Sequence, residues 1–375
     1  MYLSNIKLHN FRNYEKLVLD FTPGINIIYG NNAQGKTNLL ESIYYLSVTK
    51  SHHSFLDNNL IKNGEDSLFV EGIIKDNDLT NKYSIELVNH KKLLKINDDK
   101  INKISDYISN INTIFFYPDD LNLIKGNPEV RRRYLNIQLS QLSSIYFKNI
   151  SDYNKLLKIR NDYLKKYVDR IDFDENYFDI ITDHLIDKSI YIYKMRKKYI
   201  SKINQYSKLI SKKIYNNDNY EVVYKTNFDH LDFNEVDIKS KIKEEYRKNL
   251  YKDKKYKITL LGPQKDDFEF IYDDKNLKLY GSQGQQRLGV LVFKLSEINI
   301  FNDFKQTKPI LLLDDVFSEL DNNKKNSLLN YINNEIQTII TTTDLSNLDE
   351  NLINTSNLIK INGGKIEEVE WNGTK

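Results

Sequence analysis

Gly30-Asn31-Asn32-Ala33-Gln34-Gly35-Lys36-Thr37 satisfies G-x-x-x-x-G-K-[ST] at every fixed position. In such a loop the glycines let backbone N–H groups turn inward around phosphate oxygens, and the following helix N-terminus adds its positive end. Lys36 would reach the β- and γ-phosphates of ATP, and the Thr37 hydroxyl would hold Mg²⁺. Gly30, Asn31, Asn32, Ala33, Gln34 and Gly35 would complete the cradle. A second element, Ile310-Leu311-Leu312-Leu313-Asp314-Asp315, reads as a buried strand ending in paired carboxylates. Asp314 would orient the Mg²⁺ shell and Asp315 would polarise an attacking water.

A third element is Ser282-Gln283-Gly284-Gln285-Gln286-Arg287, which opens a helix with Leu288, Leu291, Val292 and Leu295 on its apolar face. Serine is favoured at an N-cap on structural grounds alone. The stretch also resembles the signature element of ABC-type ATPases, where a serine and a helix N-terminus contact the γ-phosphate of ATP held by the opposite subunit. Ser282 and Gln285 are the expected contacts. Ser318-Glu319-Leu320-Asp321 then stands where such proteins carry their D-loop, with Asp321 near the nucleotide. After the next strand comes Thr341-Thr342-Thr343-Asp344, without the histidine usual in transporter ATPases, so a Thr or Asp there would have to sense the γ-phosphate.

Positioning these groups requires strands that end together. Ile6 to Phe11 and Leu17 to Phe21 alternate as strands, and Gly24 to Tyr29 is a more buried strand running into the loop. Leu39, Leu40, Ile43, Tyr44 and Leu46 give the next segment helical spacing. Antiparallel strands are expected over 68–97, then a strand at Ile114–Tyr117 closed by Pro118. From 121 to about 250 the texture is helical, with Ile192, Met195, Tyr199, Ile203, Tyr206 and Ile210 forming one stripe. Strands return at 258–261, 268–272, 310–313 and 338–341, followed by a terminal hairpin. The expected fold is α/β: an ABC-ATPase-like P-loop lobe with an antiparallel β subdomain, plus an inserted helical arm. Residues 1–120 and 255–375 would form the ATPase domain and 121–254 the arm.

The 375 residues contain no cysteine, which excludes thiol nucleophiles and thiolate metal sites. Six histidines show no metal-ligand spacing. The 55 basic and 52 acidic residues leave a net charge of +3, so any nucleic-acid surface must be a local patch. The first residues lack the apolar stretch of a secretory signal, and no run reaches the ~20 apolar residues that span a bilayer. A cytoplasmic location is expected. The abundance of Tyr, Lys, Asn and Ile matches AT-rich codons, which weakens arguments from any lone Tyr or Lys.

Taken in order, the motifs resemble those of the RecF family, SMC-like ABC-type ATPases of DNA repair. The resemblance spans essentially the whole chain. It includes Leu8-His9-Asn10-Phe11-Arg12-Asn13-Tyr14, the P-loop through Glu41, Lys50-Ser51-His52, Pro118-Asp119-Asp120-Leu121, Arg131-Arg132-Arg133, Gly262-Pro263 with Asp266-Asp267, and the segments from 281 onward described above. His53 and Gln264-Lys265 depart from it, standing where the family often has Arg and His-Arg. The resemblance implies an ATP-dependent homodimer with ATP between Lys36 of one subunit and Ser282 of the other. It implies slow, DNA-stimulated hydrolysis acting as a switch, binding to DNA at single-strand/double-strand junctions, partnership with RecO and RecR, and roles in replication, gap repair and the SOS response. No covalent change to DNA is expected.

DNA contacts are sought in residues 188–213, which hold nine Lys or Arg and no acid. A basic helix face neutralises phosphates without reading sequence, and Lys194, Arg196, Lys197 and Lys198 are the candidates; a solvated lysine-rich face is the competing reading. Of Arg131, Arg132 and Arg133, at most one is expected to touch DNA, because three consecutive residues cannot share a helix face. Other P-loop proteins fit less well. A transporter subunit has a compact insert, SMC arms need far longer heptads, and a small-molecule kinase would leave the Ser282 helix without a task.

Overall fold

The computed structural model describes residues 1–52, 56–171, 173–215, 219–319, 322–332 and 335–371. The chain forms two compact units: 1–120 with 212–216 and 294–375, and 121–211 with 217–293.

The first unit contains two sheets. One is antiparallel, in the order β2-β1-β4-β5-β6-β7, built from β1 (Tyr2–Phe11), β2 (Tyr14–Asp20), β4 (Ser67–Asp76), β5 (Leu79–Val88), β6 (Lys91–Ile96) and β7 (Asp99–Ile101). Strict alternation buries Leu68, Val70 and Ile74 along β4. In β1 the buried positions change parity, from Leu3 to Ile6 and Leu8. The register against β4 shifts between Leu3 and Asn5, and such a bulge turns the following side chains over.

The second sheet runs β15-β14-β3-β13-β12-β8. It comprises β3 (Ile25–Tyr29), β8 (Thr113–Phe116), β12 (Ile310–Asp314), β13 (Thr338–Thr342), β14 (Asn357–Asn362) and β15 (Lys365–Trp371). All neighbours are parallel except β15, which folds back on β14 through Gly363 and Gly364 as the expected hairpin. Ile310, Leu311, Leu312 and Leu313 are all fully buried, as a central parallel strand covered on both faces requires. Parallel pairing brings the carboxyl ends of β3, β8, β12 and β13 to one edge, where open α/β sheets bind ligands.

The second unit is mostly helical, with helices Pro128–Leu142, Ser144–Tyr167, Glu175–Tyr215 and Ile238–Tyr256. It also holds a small antiparallel sheet, β11-β10-β9, of β9 (Tyr220–Lys225), β10 (Asp267–Tyr272) and β11 (Lys275–Asn276). The sequence reading placed the strand at 268–272 with the ATPase lobe. Here it pairs with β9, Phe270 opposite Val222, and residues 217–293 belong to the second unit. The helix Gln283–Lys305 starts in the second unit and enters the first at Lys294.

Charge lies inside this unit as well as on it. Arg196 is fully buried: its guanidinium bonds Asp266 Oδ2 at 2.6 Å, the Pro263 carbonyl at 2.8 Å and Asn136 Oδ1 at 2.9 Å, while Tyr224 also donates to Asp266. Burial pushes the Asp266 carboxyl up, and Arg196 opposes that shift. Arg196 therefore cannot be a DNA contact, because its charge is spent in the core. It sits four residues after Ile192 and three before Tyr199, on the buried stripe of its helix. Lys197 is half-buried, donates to the Leu231 carbonyl and lies over the Phe233 ring. Lys194 and Lys198 are exposed, and Lys188 pairs with Asp152 of another helix. Arg131 is likewise buried against Asp267, and Arg132 donates to the Asp266 carbonyl. Arg160 is buried with Asp253 at 2.8 Å.

Replacing Arg196 by Met strands Asp266 without its cation. The expected cost is about 3–5 kcal/mol of unfolding free energy in this unit, measured by urea denaturation. Lys194→Ala, at the surface, should leave the same curve within about 0.5 kcal/mol.

Candidate nucleotide-binding site

The P-loop leaves β3 at Gly30 and enters the helix Lys36–Val48 at Gly35. Gly30 has φ 148° and Gly35 φ 109°, a region that disfavours side chains. A Cβ at Gly30 would run into the Ile361 carbonyl, and one at Gly35 would meet Asn13 and the Tyr14 hydroxyl. Tyr14 holds the turn by donating its buried hydroxyl to the Gly35 carbonyl at 2.9 Å. Gln34 is tied elsewhere: its carbonyl accepts from Gly364 N–H at 3.0 Å and its side chain from Gly363 N–H at 2.5 Å.

No side chain caps the helix at Gly35, and its first turn carries no acid. Its leading N–H groups are thus left for an anion, whose charge the helix dipole favours. They border a cavity of about 380 Å³ lined by Asn32, Ala33, Gly35, Lys36, Thr37, Asn38, Pro118, Asp314, Asp315, Thr341 and Thr343. The Lys36 ammonium bonds the carbonyls of Gly30 (2.7 Å) and Asn31 (2.8 Å), closing the loop on itself. Burial lowers its pKa, and Asp315 and Asp314 act in the opposite direction.

Across the cavity, Asp314 ends β12 nearly buried. One carboxylate oxygen accepts from Thr37 Oγ1 at 2.9 Å and from Thr341 Oγ1 at 2.7 Å. Burial raises its pKa, and these two hydroxyls counter the shift. Thr341 also accepts the Asp315 N–H at 3.0 Å. That bond holds Asp315 in a left-handed conformation, φ 51°, with its side chain on the cavity wall. Thr37 and Asp314 offer hard oxygen donors, one of them a carboxylate, and this suits Mg²⁺, which keeps waters and phosphate oxygens in its shell.

Lys36, Thr37, Asp314 and Asp315 thus meet in one cavity, as their spacing led us to expect. Sequence reading missed three contributors: Tyr14, which braces the loop, and Asn38 and Pro118, which line it; Thr341, from the segment expected to sense the γ-phosphate, lines the cavity and supports both aspartates. Pro118 stands two residues after the end of β8, so its place at the strand-end edge was the available signal. Thr343 faces the cavity, whereas Asp344 is exposed and caps a short turn through Ser346. Ser282 lies in the second unit. Its Oγ accepts the Gln285 N–H at 3.2 Å while Gln285 Oε1 accepts the Ser282 N–H at 2.8 Å, a reciprocal capping box. Both residues are exposed, and accepting that bond leaves the hydroxyl proton of Ser282 available to an incoming oxygen. Residues Val316–Glu319 form one short turn; Asp321 and His53 lie outside the described residues.

Residues 2–363 match the model of the RecF/RecN/SMC N-terminal domain family. The chain is 38% identical over 367 residues to the DNA replication and repair protein RecF of Clostridium botulinum (strain Eklund 17B / Type B), covering 98% of this chain and 99% of that one. The RecF protein of Pediococcus pentosaceus is also 38% identical, covering 97% and 98%. A solved structure of the recombination mediator protein RecF with ATP, from the RecFOR pathway, superposes with a TM-score of 0.89 at 33% identity, covering 98% and 97%. The Smc head domain of Pyrococcus furiosus shares the fold at TM-score 0.53 and 15% identity.

Lys36→Met should reduce ATP affinity by at least about 30-fold, the scale of truncating one partner of a buried charge pair. Thr37→Ala should weaken binding only when Mg²⁺ is present. A fluorescent ATP analogue titrated with Mg²⁺ and with EDTA reads both outcomes.

Proposed function

This chain belongs to the RecF family, and from that premise we propose that it is an ATP-dependent DNA-binding protein of replication and recombinational repair whose ATPase works as a dimer switch. The observation that carries the reading is the convergence of Lys36, Thr37, Asp314 and Asp315 on one cavity beside an uncapped helix N-terminus. These groups fit a nucleoside triphosphate better than any other ligand class. The RecF structure with ATP supports the choice of nucleotide.

The binding steps follow from the side chains. The uncapped N–H groups take the β-phosphate, and Lys36 exchanges the Gly30 and Asn31 carbonyls for phosphate oxygens. Thr37 and Asp314 would hold Mg²⁺, which when bound neutralises charge between the β- and γ-phosphates. Asp315, oriented by Thr341, accepts a proton from water as that water attacks the γ-phosphorus and the bond to the β-phosphate oxygen breaks. Lys36 stabilises the charge gathering on the leaving oxygen.

Ser282 and Gln285 are exposed at a helix N-terminus and complete the site in trans, on ATP held by a second copy. A two-fold dimer with two ATP molecules between its subunits is the result. DNA is held while ATP is intact, at gaps and single-strand/double-strand junctions, and slow DNA-stimulated hydrolysis times release. Lys194 and Lys198 are the surviving DNA candidates from the basic helix. RecO and RecR are the proposed partners, as the RecFOR context of the solved relatives suggests; a cytoplasmic location and a role in the SOS response complete the reading.

Asp315→Asn should lower turnover by about 100-fold or more, the usual worth of a general base, while retaining an ATP-bound dimer in light scattering. Ser282→Ala should weaken that dimer without altering ATP affinity of the monomer. A monomer at every ATP and DNA concentration would rule out the dimer switch.

A further inference from the structure

The hairpin of β14 and β15 turns through Gly363 and Gly364, and its tip rests on the P-loop. Gly364 donates its N–H to the Gln34 carbonyl at 3.0 Å, and Asn13 Nδ2 reaches the same oxygen at 3.3 Å. The Gly363 N–H goes to Gln34 Oε1 at 2.5 Å, although 329 residues separate the two in the chain. Gly364 is buried in spite of its place in a turn. A Cβ there, at φ 74°, would stand 3.1 Å from the Asn13 carbonyl, and one at Gly30 would strike the Ile361 carbonyl of β14. All of these residues belong to the first unit.

Peptide planarity carries this grip to the nucleotide cavity. Within one trans peptide plane the C=O and the N–H point in opposite directions. The Gln34 carbonyl, held by Gly364 and Asn13, shares its plane with the Gly35 N–H. The Gly35 carbonyl, held by the Tyr14 hydroxyl at 2.9 Å, shares its plane with the Lys36 N–H. Both N–H groups are therefore turned away from their tethers, and Gly35 and Lys36 both line the cavity. Successive N–H groups facing one way make an anion nest. The loop does not take this form freely: Ala33 is left-handed at φ 62°, and such backbone persists only where its surroundings over-determine it. Gln34 itself stands outside the cavity lining.

We propose that the hairpin tip is a positioning element for nucleotide binding. Gly364, through the Gln34 carbonyl, aims the Gly35 N–H at the β-phosphate, and the Gln34 side chain is a clasp for the tip and not a phosphate contact. The phosphate then meets planes already set, and preorganisation of this kind raises affinity. It favours bound ATP and the transition state alike, so its loss weakens binding without slowing the bound complex. The inference rests on the nucleotide reading of the cavity given above.

Gly364→Ala forces a methyl group against Asn13 and lifts the tip. Gly64→Ala is the strain control, since φ is 89° there and a Cβ meets nothing within 4 Å. With a fluorescent ATP analogue, Gly364→Ala should bind about ten-fold more weakly than the parent, the scale of one hydrogen bond. Its turnover at saturating ATP should stay within about 3-fold of the parent, and Gly64→Ala should match the parent in affinity. Gln34→Met, which keeps the length of the side chain and removes its acceptor, should also weaken binding. Parental affinity in Gly364→Ala overturns the proposal. So does turnover lost at unchanged affinity, the pattern of a smaller folded fraction.

Hydrogen exchange on the chain carrying Asp315→Asn gives a second test with the hairpin unaltered. Coupling is reciprocal, so ATP must slow exchange in peptides covering 360–367 together with 30–37. Slowing confined to 30–37 overturns the proposal and leaves the nucleotide reading intact. A parent that binds no ATP overturns that reading and this proposal with it.

Discussion

A carboxylate at the end of a fully apolar strand survives folding only if donors replace the water it loses. Asp314 is that carboxylate, and the two hydroxyls it holds, Thr37 and Thr341, come from the P-loop helix and from β13. One buried oxygen thereby joins three segments that are far apart in the chain. The same Thr341 hydroxyl takes the Asp315 N–H and fixes the second aspartate in its left-handed turn. The cavity exists because this arrangement and the uncapped helix stand on the same edge of the parallel sheet. The strand order β3-β13-β12-β8 places them there.

Charge burial recurs through both units: Arg12 with Glu41, Lys294 with Asp120, Arg160 with Asp253, and Arg196 with Asp266. Such pairs seldom add net stability over apolar packing, but they tolerate little displacement, since a parted pair leaves a buried charge exposed to nothing. They suit a protein whose elements must keep one geometry around a ligand. In the first unit two of these pairs flank the nucleotide cavity, one on the P-loop helix and one on the turn behind Pro118. In the second unit Arg160–Asp253 joins two helices, and Arg196–Asp266 ties a third helix to the residue just before β10.

The misplaced Arg196 shows where reading by residue type stops. Lys194, Arg196, Lys197 and Lys198 looked alike as members of a basic run. Helical spacing separates them: Lys194 and Lys198 share one exposed face, while Arg196 falls on the stripe of Ile192, Tyr199 and Ile203. That periodicity was present in the chain, but the acid that compensates Arg196 lies 70 residues away at Asp266. Similarly, the alternation of β10 announced a strand without naming β9 as its partner, because backbone pairing carries no residue code.

The sequence alone determined the P-loop, the paired aspartates, the helix cap at Ser282 and the α/β order of the ATPase core. Each of these depends on spacing within a short segment: glycines at a tight loop, an apolar run ended by carboxylates, a serine three residues before a glutamine. Tertiary structure alone decided that Thr341 holds Asp314, that Tyr14 and Pro118 shape the cavity, and that residues up to Phe293 belong to the helical unit. It also decided which basic side chains are surface and which are core. Those outcomes rest on desolvation and on partners distant in sequence, which local spacing does not encode.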